Sequence, residues 1–267
     1  MAASSPWLSV VLATRNEGHA LAGLLAQLAS APGLVREVLV VDGGSQDGTP
    51  ELARLAGARL LRSAPGRGRQ LALGAREAHG PWLLLLHADV RLPPDWATRL
   101  TQARRRPAEA WYFDLGIDGR GLALRLVELG VSLRSRWRQL PYGDQGLLLP
   151  LQHYWASGGL RPLPLMEDLD LVQRLRRRGR LRSLGGAVRV DGRRWRSRGV
   201  WRTTIDNARL RRAWRRGADA EALARCYYGP GAGRPKARTR RRSDAPGAPD
   251  PSPGTGRRPP PGDRQTG

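Results

Sequence analysis

The sequence predicts an α/β domain built on a mostly parallel sheet. Short apolar runs rich in strand formers alternate with helical patterns along the first third of the chain. Polar loops separate these elements, and regular alternation of strand and helix is typical of a parallel sheet covered by helices on its faces. At 267 residues the chain is long enough to bury one core of this kind.

Four strands and three helices make up the regular part of the prediction. The predicted strands are Leu8–Ala13, Glu37–Val41, Arg59–Arg62 and Trp82–Leu86. The helices that follow the first three strands are predicted at Ala20–Leu28, Thr49–Ala56 and Gln70–Ala78. Thr49 and Pro50 are expected to supply the N-cap and first-turn proline of the second helix.

The pattern becomes less regular after Asp89. We predict a helix at Asp95–Arg105, a strand at Trp111–Gly116, an apolar helix at Leu122–Trp137 and a helix that opens within Pro164–Asp170 and runs to Arg178. Residues 1–229 are therefore assigned to one domain. From Pro230 onward, 16 of 38 residues are Pro or Gly, so residues 230–267 are predicted to be a disordered tail.

The charge is strongly positive, with 46 Lys and Arg against 23 Asp and Glu. Such a balance favours nucleic acid, anionic lipid or phosphorylated partners. Only one basic residue is lysine, Lys236, which indicates that codon bias in a GC-rich genome contributes much of the arginine. The Arg/Trp-rich run over residues 193–214 leaves open a nucleic-acid-binding protein, but it also fits an amphipathic helix, and no specific nucleic-acid partner is predicted.

Cysteine content and hydropathy bear on the compartment. The single cysteine, Cys226, excludes an intramolecular disulfide and a Cys-based zinc site. The N-terminus carries no basic segment, and no stretch approaches the roughly 20 apolar residues that cross a bilayer. We therefore predict a cytoplasmic protein whose contact with a membrane would be peripheral, at the inner face.

Polar side chains follow three of the four regular strands. They are Thr14, Asn16 and Glu17 after the first strand, Asp42 and Asp47 after the second, and Asp89 after the fourth. In parallel sheets, ligands bind outside the carboxyl ends of the strands, so these side chains are expected to converge on one site. Turns and helix caps also favour Asp, Asn and Thr, and this alternative stays open for each loop.

The order of several motifs resembles that of family-2 glycosyltransferases. The landmarks are residues 11–17, 40–49, 86–89 and 166–170. Segments 66–70, 87–89, 141–145, 164–168, 193–195 and 199–203 more narrowly resemble a bacterial branch called transferase 2, rSAM/selenodomain-associated. The resemblance spans about residues 7–228. It implies a GT-A-type, Rossmann-like sheet with C-terminal helices, and inverting, metal-dependent transfer of a sugar from a nucleotide-diphosphate sugar to an acceptor hydroxyl.

The resemblance also implies a set of donor contacts. The nucleotide would be bound by Thr14, Asn16, Glu17, Asp42, Arg67, Gln70 and His87. Arg193 and Arg194 would bind the diphosphate, for which guanidinium groups are well suited. Asp89 is the expected ligand of Mg²⁺ or Mn²⁺, with phosphate and water oxygens completing the coordination. His87 stands in place of the family's usual first Asp. Three roles remain open for it: a metal ligand, a contact with the ribose, or packing at the strand end.

Catalysis and acceptor binding are assigned from the later motifs. Asp168 matches the family's general base, which takes the proton of the acceptor hydroxyl, and Glu167 is the reserve candidate. Capping of a helix N-terminus is the alternative role for this pair. Asp144 and Gln145 resemble the acceptor-side loop, and a lipid-linked acceptor is compatible with the apolar helix and the basic C-terminal helices.

Two departures from the branch pattern and two competing functions complete the prediction. Ala72 stands where the branch has Asn, and this change is expected to weaken contacts with the donor. Asp191–Gly192 replaces the branch's Thr-Ser pair, which is expected to alter the late loop that closes over the diphosphate.

A nucleotidylyltransferase would need a glycine-rich basic signature after the first strand, which Ala13–Gly18 lacks. A glycosyltransferase with weakened catalysis remains open.

Overall fold

The structure is a computed structural model that describes residues 5–228, apart from the side chains of Arg194, Arg196 and Arg198. The described residues all belong to one compact unit, Met1–Pro235. The tail predicted from Pro230 onward lies outside the described residues.

One eight-stranded sheet forms the centre of the described region. Its strands are β1 (Leu8–Thr14), β2 (Val35–Asp42), β3 (Arg59–Arg62), β4 (Trp82–His87), β5 (Val90–Arg91), β6 (Ala110–Ile117), β7 (Leu147–Pro150) and β8 (Leu181–Val190). They are ordered β3-β2-β1-β4-β7-β6-β8-β5. Four of the seven pairings are parallel, while β7 runs antiparallel to both neighbours and β5 antiparallel to β8. The predicted mostly parallel α/β sheet is confirmed.

Helices cover the faces of the sheet. They are α1 (Gly18–Ala29), α2 (Thr49–Leu55), α3 (Arg67–Arg76), α4 (Trp96–Arg104), α5 (Leu122–Arg138), α6 (Leu151–Ala156), α7 (Glu167–Arg178), α8 (Arg193–Arg198), α9 (Val200–Arg215) and α10 (Ala220–Tyr228). A single turn of 3-10 helix, Gly143–Gln145, precedes β7. Among residues 5–228, no helix is both long and apolar enough to span a bilayer.

The core lies on both faces of the sheet, because successive strand residues point to opposite sides. Leu84 and Leu86 of β4 contribute to the cluster on one face, and Leu83 and Leu85 to the cluster on the other. All four are at most 5% exposed. An unbroken apolar run is therefore typical of this central strand, which is covered on both sides.

The regular elements of the prediction are confirmed to within about three residues at each end, and the structure adds β5, β7, β8 and α6. Thr49 is not an N-cap: Gly48 caps α2, and the Thr49 N–H donates to Asp47 Oδ1 at 3.0 Å. Strand β7 is a four-residue apolar run with no periodicity of its own. Strand β8 contains Gly185 and Gly186, both at positive φ, which interrupt the alternation by which strands are recognised.

The Arg/Trp-rich run forms α8 and α9. Trp195 and Val200 pack against the core on one face of the sheet, and Leu210 and Trp214 pack against the core on the other. This arrangement fits the amphipathic interpretation of the run.

Candidate active site

Strand register places the predicted site residues side by side. Thr14 at the end of β1 pairs with Asp42 at the end of β2, and Ala13 pairs with His87 at the end of β4. Three parallel strands thus end at one edge of the sheet, where ligand sites of open α/β sheets lie.

The loops after β1 and β2 are bonded to each other. The Asn16 N–H donates to Ser45 Oγ at 2.9 Å, and the Gln46 N–H donates to Asn16 Oδ1 at 2.8 Å. Asn16 adopts a left-handed backbone with φ 58°, which asparagine tolerates better than most residues. The Glu17 N–H donates to Thr49 Oγ1 at 3.0 Å. The two loops therefore form one connected platform beside the strand ends.

Asp42 organises the second of these loops. Its buried carboxylate accepts hydrogen bonds from the Gly44 and Ser45 N–H groups, each at 3.0 Å, and from the Ser45 hydroxyl. This is the turn-forming role that the sequence left open. A contact between Asp42 and a nucleotide remains a prediction.

Gln70 joins the strand ends to the start of α3. Its side-chain amide donates to the carbonyls of Thr14 and Val41, each at 2.8 Å, while its Oε1 accepts from the Gly66 N–H at 3.3 Å. The side chain is 4% exposed. Because the amide is buried and bonded within the protein, the structure gives Gln70 a positioning role beneath the platform. A direct contact between Gln70 and a nucleotide remains a prediction.

A buried ion pair links α3 to α7. Arg67 Nε donates to Glu167 Oε1, and the Glu167 side chain is 1% exposed. Burial raises the pKa of Glu167, and the Arg67 charge opposes that rise. Burial alone would lower the pKa of Arg67, but Glu167 and Asp168 together hold it well above its ordinary value. The contacts of Glu167 are those of a residue that positions Arg67, and its reserve role as a base remains a prediction.

Asp168 lies one residue further on and is accessible. Its Oδ2 accepts from the Gly143 N–H at 2.7 Å and its Oδ1 from the Leu169 N–H at 2.7 Å. A Cβ added at Gly143 would lie 3.1 Å from Asp168 Oδ2 and 2.9 Å from His87 Nε2. Glycine at 143 therefore allows the carboxylate of Asp168 and the imidazole of His87 to approach the same backbone position.

The surroundings of His87 disfavour its charged form. Burial, followed by the nearby Arg67 charge, lowers the pKa of His87 to about 4. Its Nε2 is buried and has no hydrogen-bond partner among the described residues. An unpaired ring nitrogen at the end of a central strand is a polar group available to a ligand.

Asp89 is exposed in the turn between β4 and β5. Burial first, and the Asp89 charge second, raise the pKa of Glu17, so two carboxyl groups of opposite loops share this part of the edge. Within residues 5–228, no group of three or more His, Cys, Asp or Glu side chains is arranged to hold a metal on its own. The residues present fit a Mg²⁺ or Mn²⁺ ion that takes most of its ligands from a diphosphate and water.

Asp144 and Gln145 differ in what they offer a ligand. Asp144 Oδ1 is buried without a partner among the described residues, and burial raises the pKa of Asp144. Gln145 is fully buried: its amide donates to the Phe113 carbonyl at 3.0 Å, and its Oε1 accepts from Ser135 Oγ at 2.9 Å. Asp144 therefore has an unpaired oxygen in the cavity, whereas Gln145 is bonded within the loop that carries Asp144. A contact between either residue and an acceptor remains a prediction.

A cavity of about 550 Å³ is lined by several of the ionisable side chains described above. The predicted site residues that line it are Arg67, His87, Asp89, Asp144 and Asp168. The predicted residues of the platform and its supports lie outside this lining, namely Thr14, Asn16, Glu17, Asp42, Gln70, Gln145 and Glu167. Helices α5 and α9 supply an apolar wall.

The predicted diphosphate arginines lie at the start of α8. Arg193 is exposed, pairs with Asp191 and approaches His19 Nε2 of α1 at 2.9 Å. The Arg193 charge acts to lower the pKa of Glu17, so Arg193 lies near the loop that follows β1. The side chain of Arg194 lies outside the described residues.

Some features of the site were not predicted. Met166, directly before α7, has a left-handed backbone with φ 65°, a conformation that costs a non-glycine residue about 1 kcal/mol or more.

Two arginines of the cavity were also not predicted: Arg134 of α5 and Arg211 of α9 line it beside Tyr142. In so arginine-rich a chain, no local signal separates these two arginines from surface charges.

The family match covers the carboxyl ends of β1, β2 and β4. Residues 9–114 match the family model described as glycosyl transferase family 2.

A curated relative extends the resemblance. The undecaprenyl-phosphate 4-deoxy-4-formamido-L-arabinose transferase of Aeromonas hydrophila is 30% identical over 158 residues, which cover 51% of this chain. The match spans 46% of the relative's length, so the chain corresponds to less than half of that protein.

Solved structures share the GT-A fold. Glucosyl-3-phosphoglycerate synthase from Mycobacterium tuberculosis, solved with Mn²⁺, uridine diphosphate and glucosyl-3-phosphoglycerate, has 22% identity and a TM-score of 0.53 over 70% of this chain and 73% of its own. S. aureus TarS, residues 1–349, has 16% identity and a TM-score of 0.53 over 70% of this chain and 60% of its own. At these identities the likeness establishes the fold.

Proposed function

We propose that the chain is a glycosyltransferase that moves a sugar from a nucleotide-diphosphate sugar to an acceptor hydroxyl, with inversion at the anomeric carbon. The observation that carries this proposal is that Asp168, His87 and Asp89 line one cavity at the carboxyl edge of the sheet, in a chain whose residues 9–114 match the family-2 model. The relative's name as a transferase, and the Mn²⁺ and uridine diphosphate bound to the structural neighbour, support the reaction type and the donor class.

Asp168 is the proposed general base. The Gly143 and Leu169 N–H groups fix the orientation of its carboxylate, and the side chain faces the cavity. It would take the proton from the acceptor hydroxyl as that oxygen forms its bond to the anomeric carbon. The bond to the diphosphate breaks on the opposite side of the sugar, which gives inversion. Glu167 contributes by holding Arg67, whose positive charge stabilises the anionic site.

Asp89 is the proposed metal ligand, with the neutral ring of His87 available beside it. The unpaired Nε2 of His87 and the proximity of Glu17 and Asp89 support a cation at this position. When bound, the metal would neutralise the charge that develops on the departing diphosphate.

The donor class can be tested by thermal shift on the full chain with uridine, guanosine and thymidine diphosphate sugars, each with and without Mn²⁺. We expect one nucleotide to raise the melting temperature only when the metal is present, because the diphosphate and Asp89 bind the ion jointly. A chain that no nucleotide-sugar stabilises under either condition would contradict the proposal.

The acceptor is proposed to be lipid-linked. Helix α5 exposes apolar side chains along one stripe: Leu122, Leu126, Leu129, Leu133 and Trp137. Leu126 also lines the cavity, so the stripe leads directly to the site. Arginines flank it, which suits a peripheral contact with an anionic lipid surface. The relative named for undecaprenyl phosphate supports an acceptor of this class.

Vesicle co-sedimentation tests the peripheral contact. We expect Leu122→Ser to reduce binding to anionic vesicles, because Leu122 is 75% exposed at the end of the stripe. Leu55→Ser is the matched control, since Leu55 is 87% exposed on α2 and lies outside the stripe. Equal loss in both variants, or no vesicle binding by the parent chain, would contradict this part of the proposal.

A further inference from the structure

Three side chains beside Asp168 form a cluster to which the proposed reaction assigns no role. The guanidinium carbon of Arg134 lies 3.7 Å from the centre of the Tyr142 ring, and that of Arg211 lies 5.0 Å from the same centre. Both distances are within the range of cation–π attraction. All three side chains line the cavity that contains Asp168. Two cations from different helices are thus gathered over one ring.

Neither cation is neutralised by a carboxylate contact among residues 5–228. Arg134 donates to the Leu140 carbonyl at 2.9 Å and to Gln145 Oε1 at 3.2 Å, both uncharged acceptors. Burial lowers the pKa of Arg134, and the charge of Arg211 acts in the same direction. The charges of Asp144 and Asp168 oppose this effect, and that of Asp144 also reaches Arg211, yet the buried Oδ1 of Asp144 bonds to neither guanidinium. Repulsion between two cations in a cavity favours the binding of an anion.

The wall next to this cluster is apolar. Leu126 and Val131 of α5 and Trp201 and Leu210 of α9 line the same cavity. Leu126 is 46% exposed and Trp201 is 56% exposed, so the wall continues from the cavity to the surface. An anionic subsite therefore adjoins an apolar path that leads outward.

We propose that Arg134 and Arg211 form a subsite for a phosphate ester whose apolar chain lies between α5 and α9. Guanidinium groups are well suited to phosphate because their N–H donors match its oxygens. The inference rests on the proposed function, in that the phosphate belongs to the acceptor whose hydroxyl faces Asp168. It narrows the acceptor class to amphiphiles that carry a phosphate.

Arg211→Gln is the informative variant. Arg211 contacts the Tyr142 ring, whereas Arg134 also bonds to Leu140 and Gln145 of the neighbouring loop, so that its loss would endanger folding. Binding of octyl phosphate, octanol and inorganic phosphate to the full chain would be measured by calorimetry. We expect octyl phosphate to bind at least about tenfold more tightly than either fragment, and Arg211→Gln to weaken it about tenfold, the size of a charge-assisted contact.

Arg212→Gln is the matched control, because Arg212 is the next residue of α9 and is exposed. It should bind octyl phosphate as the parent does. Titration with uridine diphosphate and Mn²⁺ separates this inference from the proposed function: Arg211→Gln should leave nucleotide binding unchanged. Octyl phosphate that binds no better than octanol would overturn the subsite, as would equal binding of inorganic phosphate, or a loss of nucleotide affinity in Arg211→Gln.

Discussion

The two ends of the neighbouring parallel strands β1, β2 and β4 satisfy their buried polar groups in different ways. At the amino end, the Ser9 hydroxyl donates to Glu37 Oε1 at 2.6 Å and accepts from the Gly80 N–H at 2.7 Å. The His79 N–H also donates to Glu37 Oε1, at 2.6 Å. At the carboxyl end, His87 Nε2 and Asp144 Oδ1 are buried without partners among the described residues.

This difference indicates a division of labour within one sheet. Buried polar groups are normally paired, and leaving one unpaired costs about 1–3 kcal/mol. The amino end therefore adds stability, while the carboxyl end retains groups whose partners a ligand can supply. Changes at the two ends should accordingly affect different measurements.

The largest effect is expected from Asp168→Asn, which removes the proposed base without changing its shape. Turnover should fall by about 10²–10⁴-fold, the usual contribution of general base catalysis. Metal-dependent nucleotide binding should persist, because Asp89 is untouched. Donor turnover and nucleotide affinity, measured on the same sample, would show this separation.

Asp170→Asn is the control on the same helix. Asp170 pairs with Arg174 at 2.6 Å, so its loss should lower stability and leave turnover largely intact. Equal turnover in Asp168→Asn and the parent chain would remove Asp168 from the catalytic role.

Gly143→Ala should have the next largest effect on turnover. The added Cβ would meet His87 Nε2 at 2.9 Å and Asp168 Oδ2 at 3.1 Å, so the carboxylate must move from its position. We expect a loss of about 10²-fold, as is typical when a catalytic group is misplaced by about 1 Å. Gly23→Ala on α1, where nothing lies within 4 Å of the added Cβ, should retain full turnover and gain up to about 1 kcal/mol of stability. Unchanged turnover in Gly143→Ala would argue against this geometry.

Ser9→Ala tests the amino end. It leaves the Gly80 N–H without its acceptor and removes a donor from Glu37, so the free energy of unfolding should fall by about 1–3 kcal/mol. Chemical denaturation measures this loss, and Ser30→Ala at an exposed position should stay within about 0.5 kcal/mol of the parent. Nucleotide affinity should not change in either variant. A weakened nucleotide affinity in Ser9→Ala would contradict the separation of stability and ligand binding between the two ends.

The smallest effect is a pH dependence at the amino end. Burial acts to raise the pKa of Glu37, but hydrogen bonds from Ser9 and His79 outweigh it and lower the pKa below its ordinary value of 4.5. The resulting stabilisation is present above pH 4.5 and is lost as the pH falls through the folded-state pKa. Glu37→Gln should therefore be less stable than the parent near pH 6 and approach it in acid. A stability difference that does not change with pH would contradict this assignment.

The sequence was informative where local pattern and tertiary role coincide. Strands β1, β2 and β4 were predicted from apolar runs, and the polar residues that follow them do meet at one edge. Strand β7 was missed because four apolar residues carry no period, and β8 because paired glycines interrupt its alternation. Thr49 was wrongly predicted to be the N-cap of α2. The helix begins at Thr49 itself, whose N–H donates to Asp47, two residues earlier.

Within the site, residue types were predictable from the sequence, whereas their separate roles depend on the structure. Glu167 and Asp168 are adjacent and equivalent by motif, yet one is 1% exposed and paired with Arg67 while the other faces the cavity. Gln70 and Gln145 were expected at ligands but bond within the protein. Such distinctions depend on contacts between distant segments, for example the 100 residues between Arg67 and Glu167, and no local pattern encodes them.

The central claim is that the carboxyl edge of the sheet binds a nucleotide diphosphate together with a metal through Asp89. Calorimetric titration of uridine diphosphate, or of the nucleotide that the thermal screen identifies, into the parent chain and Asp89→Asn, with and without Mn²⁺, tests it most directly. We expect metal-dependent binding in the parent chain and loss of the metal dependence in Asp89→Asn. Equal affinity of the two proteins in Mn²⁺, or equal affinity of the parent with and without the metal, would contradict it.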